Sequence, residues 1–115
     1  MAIPSGSGTE VLKNVLINGQ NATNSTPLTV AQHHIITILS IIVTSTTSTV
    51  QSLTIDIVNG GNDHQIAHGD AVKLGDHATF VWNDKFVMEY GDALKITNSG
   101  NAIDCVISYI DQDWS

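Results

Sequence analysis

The stretch "HHIITILSIIVTSTTST", residues 33–49, constrains the fold of this chain more than any other segment. It is the most apolar part of the chain, and it runs into six consecutive Ser or Thr residues at 44–49. Its apolar part, 35–43, is nine residues long, whereas a membrane-spanning helix needs about 20. Most of these side chains are β-branched, which restricts their rotamers in a helix and suits a pleated sheet. The segment therefore predicts a central β-strand over about 33–44 in a soluble, unprocessed chain without a membrane partner.

Apolar residues fall on both faces of this predicted strand, so both faces need to be covered. A chain of 115 residues has few layers with which to cover them, which favours an oligomer, with a homotrimer as first choice. The residues that we place at the oligomer interface are three apolar side chains of the central strand and three aromatic residues outside it: Ile36, Ile38, Ile42, Trp82, Phe86 and Trp114.

The remaining chain reads as short strands separated by turn residues, without a credible amphipathic helix. The predicted strands are 10–17, 33–44, 50–58, 71–74, 78–82, 85–90, 93–98 and 102–110. This spacing predicts an all-β fold, an antiparallel β-sandwich that is jelly-roll-like rather than immunoglobulin-like. Turns are expected at "NGGN" (59–62), with tight hairpins at Asn83–Asp84 and Gly91–Asp92. Residues 1–9 are predicted to be a flexible N-terminal arm, and 10–115 a single β-sandwich domain.

Charge and cysteine content argue against nucleic-acid binding and exclude an intrachain disulfide. Eleven acidic residues stand against four lysines, with no arginine, and the formal net charge is −7. Nucleic acid is therefore not an expected partner, because phosphate binding requires clustered Lys and Arg. Cys105 is the single cysteine, so no intrachain disulfide can form, and its apolar neighbours predict a buried side chain.

No set of residues predicts catalysis or cofactor binding. The segment Asp63–His77 is rich in Asp and His, but His64 and His68 would lie about 13 Å apart on a strand, so solvated turns are expected there and no metal. His33 and His34 have no carboxylate partner signalled by the sequence. The chain contains neither G-x-S-x-G nor a glycine-rich loop leading into a helix. We therefore expect a protein that is not an enzyme and has no cofactor.

Three blocks of the sequence carry a resemblance to a known class of proteins: "AIPSGSGTEVLK", "TFVWNDKFVMEYGDALKI" and "VISYIDQDW". Together they resemble small all-β virion proteins of tailed phages, of the capsid decoration or cement type. The resemblance implies a non-enzymatic structural protein, often trimeric, that binds the major capsid protein and stabilises the head. It also implies a location on the capsid exterior, after synthesis in the host bacterial cytoplasm.

The acidity of this chain and its lack of arginine favour capsid contacts through the arm and through apolar strand faces. The residues that we expect to bind the capsid are Ile3, Pro4, Ser5, Val11 and Leu12. The alternative is a carbohydrate-binding or adhesion module of a phage tail or capsid fibre, in which Trp82, Trp114 or the Asp/His segment contacts the sugar. A small hydrolase is a third, weaker alternative.

Overall fold

The computed structural model describes residues 9–17, 25–67, 73–99 and 103–114. The predicted arm apart from Thr9, and residues 18–24, 68–72, 100–102 and 115, lie outside the described residues. The described ranges contain ten β-strands and no helix: β1 (Thr9–Ile17), β2 (Ser25–Thr29), β3 (His34–Ser45), β4 (Gln51–Asn59), β5 (Asn62–Ala67), β6 (Lys73–Leu74), β7 (Thr79–Trp82), β8 (Phe86–Glu89), β9 (Asp92–Asn98) and β10 (Ile103–Asp113). The all-β prediction is confirmed.

The strands form two antiparallel sheets, which we name sheet A and sheet B. Sheet A has the order β1-β10-β3, with β7 and β8 both paired to the far side of β3. Sheet B has the order β2-β9-β4, with β5 and β6 both paired to the far side of β4. Each sheet is thus four strands wide, and strands from the two ends of the chain lie side by side. This arrangement is a jelly-roll sandwich, as predicted.

A β-bulge explains why the apolar run in β3 looks continuous. The register between β3 and β10 shifts between Ser108 and Tyr109, so that Leu39 is an extra residue on β3. Ile36 and Ile38 before the bulge, and Ile41 and Val43 after it, consequently all point into the core. The prediction that both faces of this strand are apolar is therefore right only in part, because the bulge moves the inward positions from even to odd numbers.

The core lies between the two sheets and is built from alternate residues of the long strands. Its largest fully buried side chains include Ile38, Ile41, Leu53, Ile55, Met88, Leu94, Ile96, Ile103 and Ile107. Ile36 and Ile38, predicted at an oligomer interface, belong to this core and are at most 4% exposed. They are unavailable to a partner as long as the domain is folded, which corrects their assignment.

The turn predicted at 59–62 forms a tight hairpin, whereas the hairpins predicted at Asn83–Asp84 and Gly91–Asp92 do not form. Gly60 and Gly61 join β4 to β5 with φ values of 59° and 84°, which glycine adopts without a steric penalty. Asn83–Asp84 does not form a hairpin, because β7 and β8 do not pair with each other; each pairs with a different part of the long strand β3. The turn at Gly91 leads from sheet A to sheet B, since β8 and β9 belong to different sheets.

Two strands of sheet B were not predicted. β2 lies between the predicted strands 10–17 and 33–44, where no strand is predicted, and most of β5 lies in the Asp/His segment, where solvated turns are predicted. Both are outer strands with few apolar residues, and β5 is exposed from Asn62 to Gln65. Their strand structure comes from pairing with β9 and β4, which short-range pattern does not reveal. Within the described residues, no helix is long and apolar enough to cross a membrane.

Candidate functional site: the outer face of sheet A

The strand register of sheet A arranges its outward-facing side chains in rows across the sheet. Residues directly opposite each other in an antiparallel pair share a face of the sheet. One row, which we call the Leu12 row, contains Leu12, Ile110, Thr37 and Val87. A second, the Leu16 row, contains Leu16, Val106, Ile42 and Val81. Between them lies the polar row of Asn14, Ser108 and Ser40.

The two apolar rows are accessible to solvent. The exposed fractions are 72% for Leu12, 69% for Leu16, 61% for Val87, 50% for Val81 and 36% for Ile42. Scattered exposed apolar residues are normal on a protein surface, but a contiguous apolar patch marks an interaction site more often than not. The register makes these five side chains parts of one surface.

The outer face of sheet B provides an internal comparison. Its central positions pair Thr54 with Thr97 and Asp56 with Lys95, and Lys95 also contacts Asp63, with Nζ to Oδ2 at 3.3 Å. A sandwich sheet that faces water normally carries such polar and charged side chains. Asp56 is only 4% exposed, so the central outward positions of sheet B are polar without all being solvated, whereas sheet A carries the Leu12 and Leu16 rows.

A groove of about 860 Å³ follows the polar row across sheet A. Its lining residues come from β1, β3, β10 and the segment between β7 and β8: Leu12, Lys13, Asn14, Leu39, Ser40, Lys85 and Ser108. The groove lies at the level of the bulge in β3 and of the break between β7 and β8. It is open, and Leu12 is the one member of the two apolar rows among its lining residues; the rest of both rows lies beyond its edges.

A cluster of charged side chains ties the ends of β1, β3 and β10 together. His34 Nδ1 lies 2.7 Å from Asp111 Oδ1, and Lys13 Nζ donates to Asp111 Oδ2 at 3.1 Å. His34 Nε2 also lies 3.7 Å from Asp113 Oδ1. The sequence does not signal this partner of His34, because Asp111 is 77 residues away and only the β3–β10 register brings the two together.

This cluster perturbs the acidity of two of its members. Burial acts to raise the pKa of Asp111, but the hydrogen bonds and charges of His34 and Lys13 outweigh burial and hold that pKa below its ordinary value. The same contact with Asp111 raises the pKa of Lys13. The cluster is a structural clasp made of paired charges.

The Asp/His segment does not assemble a metal site within the part of the chain that the structure describes. His64 is exposed on β5, Asp63 pairs with Lys95, and Asp76 is hydrogen-bonded to the neighbouring His77. No group of three His, Cys, Asp or Glu residues with metal-binding geometry occurs among the described residues. His68 and Asp70 lie outside them, and the absence of a metal stays a prediction.

The structure places the predicted interface and capsid-binding residues in different environments. Leu12 and Ile42 are on the outer face of sheet A, and Val11 is exposed on the same strand as Leu12. Trp82 and Phe86 pack against the domain's own core, and the Trp82 indole N–H donates to the carbonyl oxygen of Asp84 at 2.8 Å.

Near the C-terminus, the half-buried Trp114 is held by its backbone N–H, which donates to the His33 carbonyl oxygen at 2.8 Å. Ile3, Pro4 and Ser5 lie outside the described residues. Sequence reasoning missed Leu16, Val81, Val87, Val106 and Ile110.

No protein-family model matches the chain, and no curated protein sequence matches it. A solved structure of Bacillus endospore appendages, described as a family of disulfide-linked pili, matches with a TM-score of 0.55 and 16% sequence identity. The match covers 100% of this chain and 97% of the other. At this level of identity, the similarity shows the fold alone.

Proposed function

We propose that this chain is a non-enzymatic structural subunit that joins a larger protein assembly through the outer face of sheet A. The observation that carries the proposal is the difference between the two sheets: the outward positions of sheet B are threonines and charged residues, including the Lys95–Asp63 ion pair, whereas sheet A presents two rows of mainly aliphatic side chains. Fully burying one aliphatic side chain contributes about 1.5–3 kcal/mol. Five exposed ones on one face are enough for specific association once several copies or contacts act together.

The assembly that we favour is a phage particle, with this protein as a capsid decoration protein that contacts the major capsid protein and other copies of itself. The sequence blocks that resemble tailed-phage virion proteins support this choice, and a jelly-roll sandwich is the fold that the resemblance implies. With a net charge of −7, contacts between copies are best made through an uncharged surface, and the two apolar rows contain no acidic residue.

A second candidate is a subunit of a pilus-like filament, which the fold similarity to the endospore appendage protein favours. The disulfide linkage in the description of that protein has no counterpart in the described core here. Cys105 is the single cysteine of the chain, and it is 1% exposed within the core. A filament of this protein would therefore be held by non-covalent contacts.

The carbohydrate-binding alternative finds less support in the geometry. Trp82 packs against the core and has its indole N–H satisfied by Asp84. Trp114 is also partly buried. The groove on sheet A has no aromatic residue among its lining residues.

The proposal is tested by placing one negative charge on each sheet. Val81→Asp puts a carboxylate in the Leu16 row, whereas Thr97→Asp puts the same charge on the outer face of sheet B. We expect the wild-type protein to sediment as an oligomer at micromolar concentration or to bind undecorated heads, and Val81→Asp to weaken either association at least tenfold, because a carboxylate buried without a partner costs several kcal/mol. Thr97→Asp should associate like the wild type.

Electron microscopy of the same samples distinguishes the two candidates. Discrete oligomers that bind heads support the decoration protein, and filaments formed by the protein alone support the pilus-like subunit. A wild-type protein that stays monomeric and binds no head would contradict the proposed function. Equal effects of the two substitutions, in variants with unchanged melting temperatures, would contradict the assignment of the interface to sheet A.

A further inference from the structure

The groove on sheet A differs in charge from the rest of the protein. Two of its seven lining residues are lysines, Lys13 and Lys85, and none is acidic, although the whole chain has eleven acidic residues and four lysines. Lys13 is engaged by Asp111 at 3.1 Å. The exposed ammonium group of Lys85, at the end of the groove between β7 and β8, is therefore the positive charge that an incoming ligand meets.

The floor of the groove carries short polar side chains that can both donate and accept hydrogen bonds. Asn14, Ser108 and Ser40 lie in register on β1, β10 and β3. Hydroxyl and carboxamide groups offer donors and acceptors in any combination that a peptide backbone requires. On either side, the Leu12 and Leu16 rows offer apolar contacts.

The dimensions of the groove suit an extended chain. Four strands spaced about 4.8 Å apart make the groove about 15 Å long, which corresponds to four or five residues of an extended peptide at about 3.3 Å each. Successive side chains of an extended peptide point to opposite sides, so alternate residues would reach the Leu12 row and the Leu16 row in turn.

We propose that this groove binds an extended peptide segment of a partner protein that carries aliphatic side chains and a carboxylate placed to pair with Lys85. The inference rests on the proposed function, because it names the kind of partner that the outer face of sheet A accepts. The peptide backbone contacts the polar row, its aliphatic side chains contact the apolar rows, and its carboxylate supplies the charge that matches the lysine end of the groove.

The experiment selects ligands for the full-length protein from a yeast-displayed library of random octapeptides. We expect enrichment of peptides with aliphatic residues and at least one Asp or Glu. These peptides should bind Ser108→Tyr at least tenfold more weakly than wild type, because the ring fills the groove. They should bind Lys85→Glu about tenfold more weakly and Lys85→Arg with little change. The control variant Thr97→Tyr places the same ring on the outer face of sheet B and should bind like the wild type.

Three results would overturn the inference: no enrichment, enrichment of basic peptides, or selected peptides that bind Ser108→Tyr as well as the wild type while all variants melt like the wild type. A glycan array read with the same variants covers the other ligand class, and glycan binding lost in Ser108→Tyr would replace the peptide by a sugar. Failure of the groove is distinguishable from failure of the proposed function. If Val81→Asp abolishes association while Ser108→Tyr and Lys85→Glu preserve it, the apolar face is the interface and the groove is not.

Discussion

A buried chain of polar side chains joins the two sheets at one end of the sandwich, and its removal gives the sharpest stability prediction. The Gln51 side-chain amide on β4 donates to the Ser45 hydroxyl oxygen on β3 at 2.9 Å, and Asn98 on β9 donates to the Gln51 carbonyl oxygen at 2.6 Å. The Ser45 hydroxyl in turn donates to the Thr47 carbonyl oxygen at 3.1 Å. Gln51, Ser45 and Asn98 are each at most 2% exposed.

The substitution Gln51→Leu keeps the approximate volume and removes the side-chain hydrogen bonds to Ser45 and Asn98. Each bond contributes about 1 kcal/mol, and a buried group that loses its partner costs about 1–3 kcal/mol more. Ser45 and Asn98 would each lose one partner, so we expect the free energy of unfolding to fall by about 2–4 kcal/mol. For a chain of this length, roughly 4 °C per kcal/mol converts this loss to a decrease of about 8–16 °C in melting temperature.

The matched control is Gln65→Leu, the same chemical change at an exposed position of β5. It should alter the free energy of unfolding by no more than about 0.5 kcal/mol. Urea titration followed by circular dichroism measures both variants, and an unchanged m-value would show that the loss belongs to the folded state. If Gln51→Leu stayed within 0.5 kcal/mol of the control, the reasoning that this polar chain holds the sheets together would be refuted.

Three further predictions concern single sites. Burial raises the pKa of the Cys105 thiol to about 12, so a thiol reagent at pH 8 should label the protein only after denaturation, and labelling of the native protein would contradict the buried position. The depressed pKa of Asp111 makes a contribution to stability that is complete above about pH 4, the ordinary value, and is lost as the pH falls through the lower folded-state pKa. In acid titrations, Asp111→Asn should therefore lose less stability than the wild type in that range. The same loss of stability in both proteins would contradict the role of the clasp. Gly61→Ala, at a φ of +84°, should lower the free energy of unfolding measured in urea by about 1 kcal/mol. Gly75→Ala, with no positive φ and nothing within 4 Å, should lower it by less than half of that. Equal decreases in the two variants would contradict the explanation from backbone conformation.

The fold class could be predicted because β-branched composition and regular turn spacing are local signals. The central strand, the glycine hairpin and the burial of Cys105 all depend on a few neighbouring residues. The two hairpins at Asn83–Asp84 and Gly91–Asp92 were wrong because a turn residue does not say which strand the next segment will pair with. In this fold, β7 and β8 both pair with β3, because its 12 residues provide enough length for two short strands in succession.

The buried position of Gln51 could have been predicted from the sequence. It has the same parity as Leu53 and Ile55 on β4, so it had to face the core if they did. A polar residue at an inward position predicts a buried hydrogen-bond partner. The identity of that partner, Ser45 on the opposite sheet, could not be predicted, because no short-range pattern relates two strands in different layers.

The outer face of sheet A could not be read from any single strand, since each strand alternates apolar and polar residues along that face. On β1 the outward positions are Glu10, Leu12, Asn14 and Leu16, and on β10 they are Gln112, Ile110, Ser108, Val106 and Asp104. Taken alone, each pattern looks like an ordinary half-exposed strand. Only the register aligns apolar with apolar and polar with polar, and a slip of two residues in one strand would interleave them and remove both rows.

The β3 bulge at Leu39 and the break at 83–85 both occur at the level of the polar row. β-bulges are typical of places where a sheet redirects side chains for function. An apolar surface without a specific partner would need neither the bulge nor the break. It would also bury more apolar area if the middle row carried aliphatic residues as well. The polar row, the bulge and the break together favour a surface shaped to receive a specific partner over one that is merely uncovered.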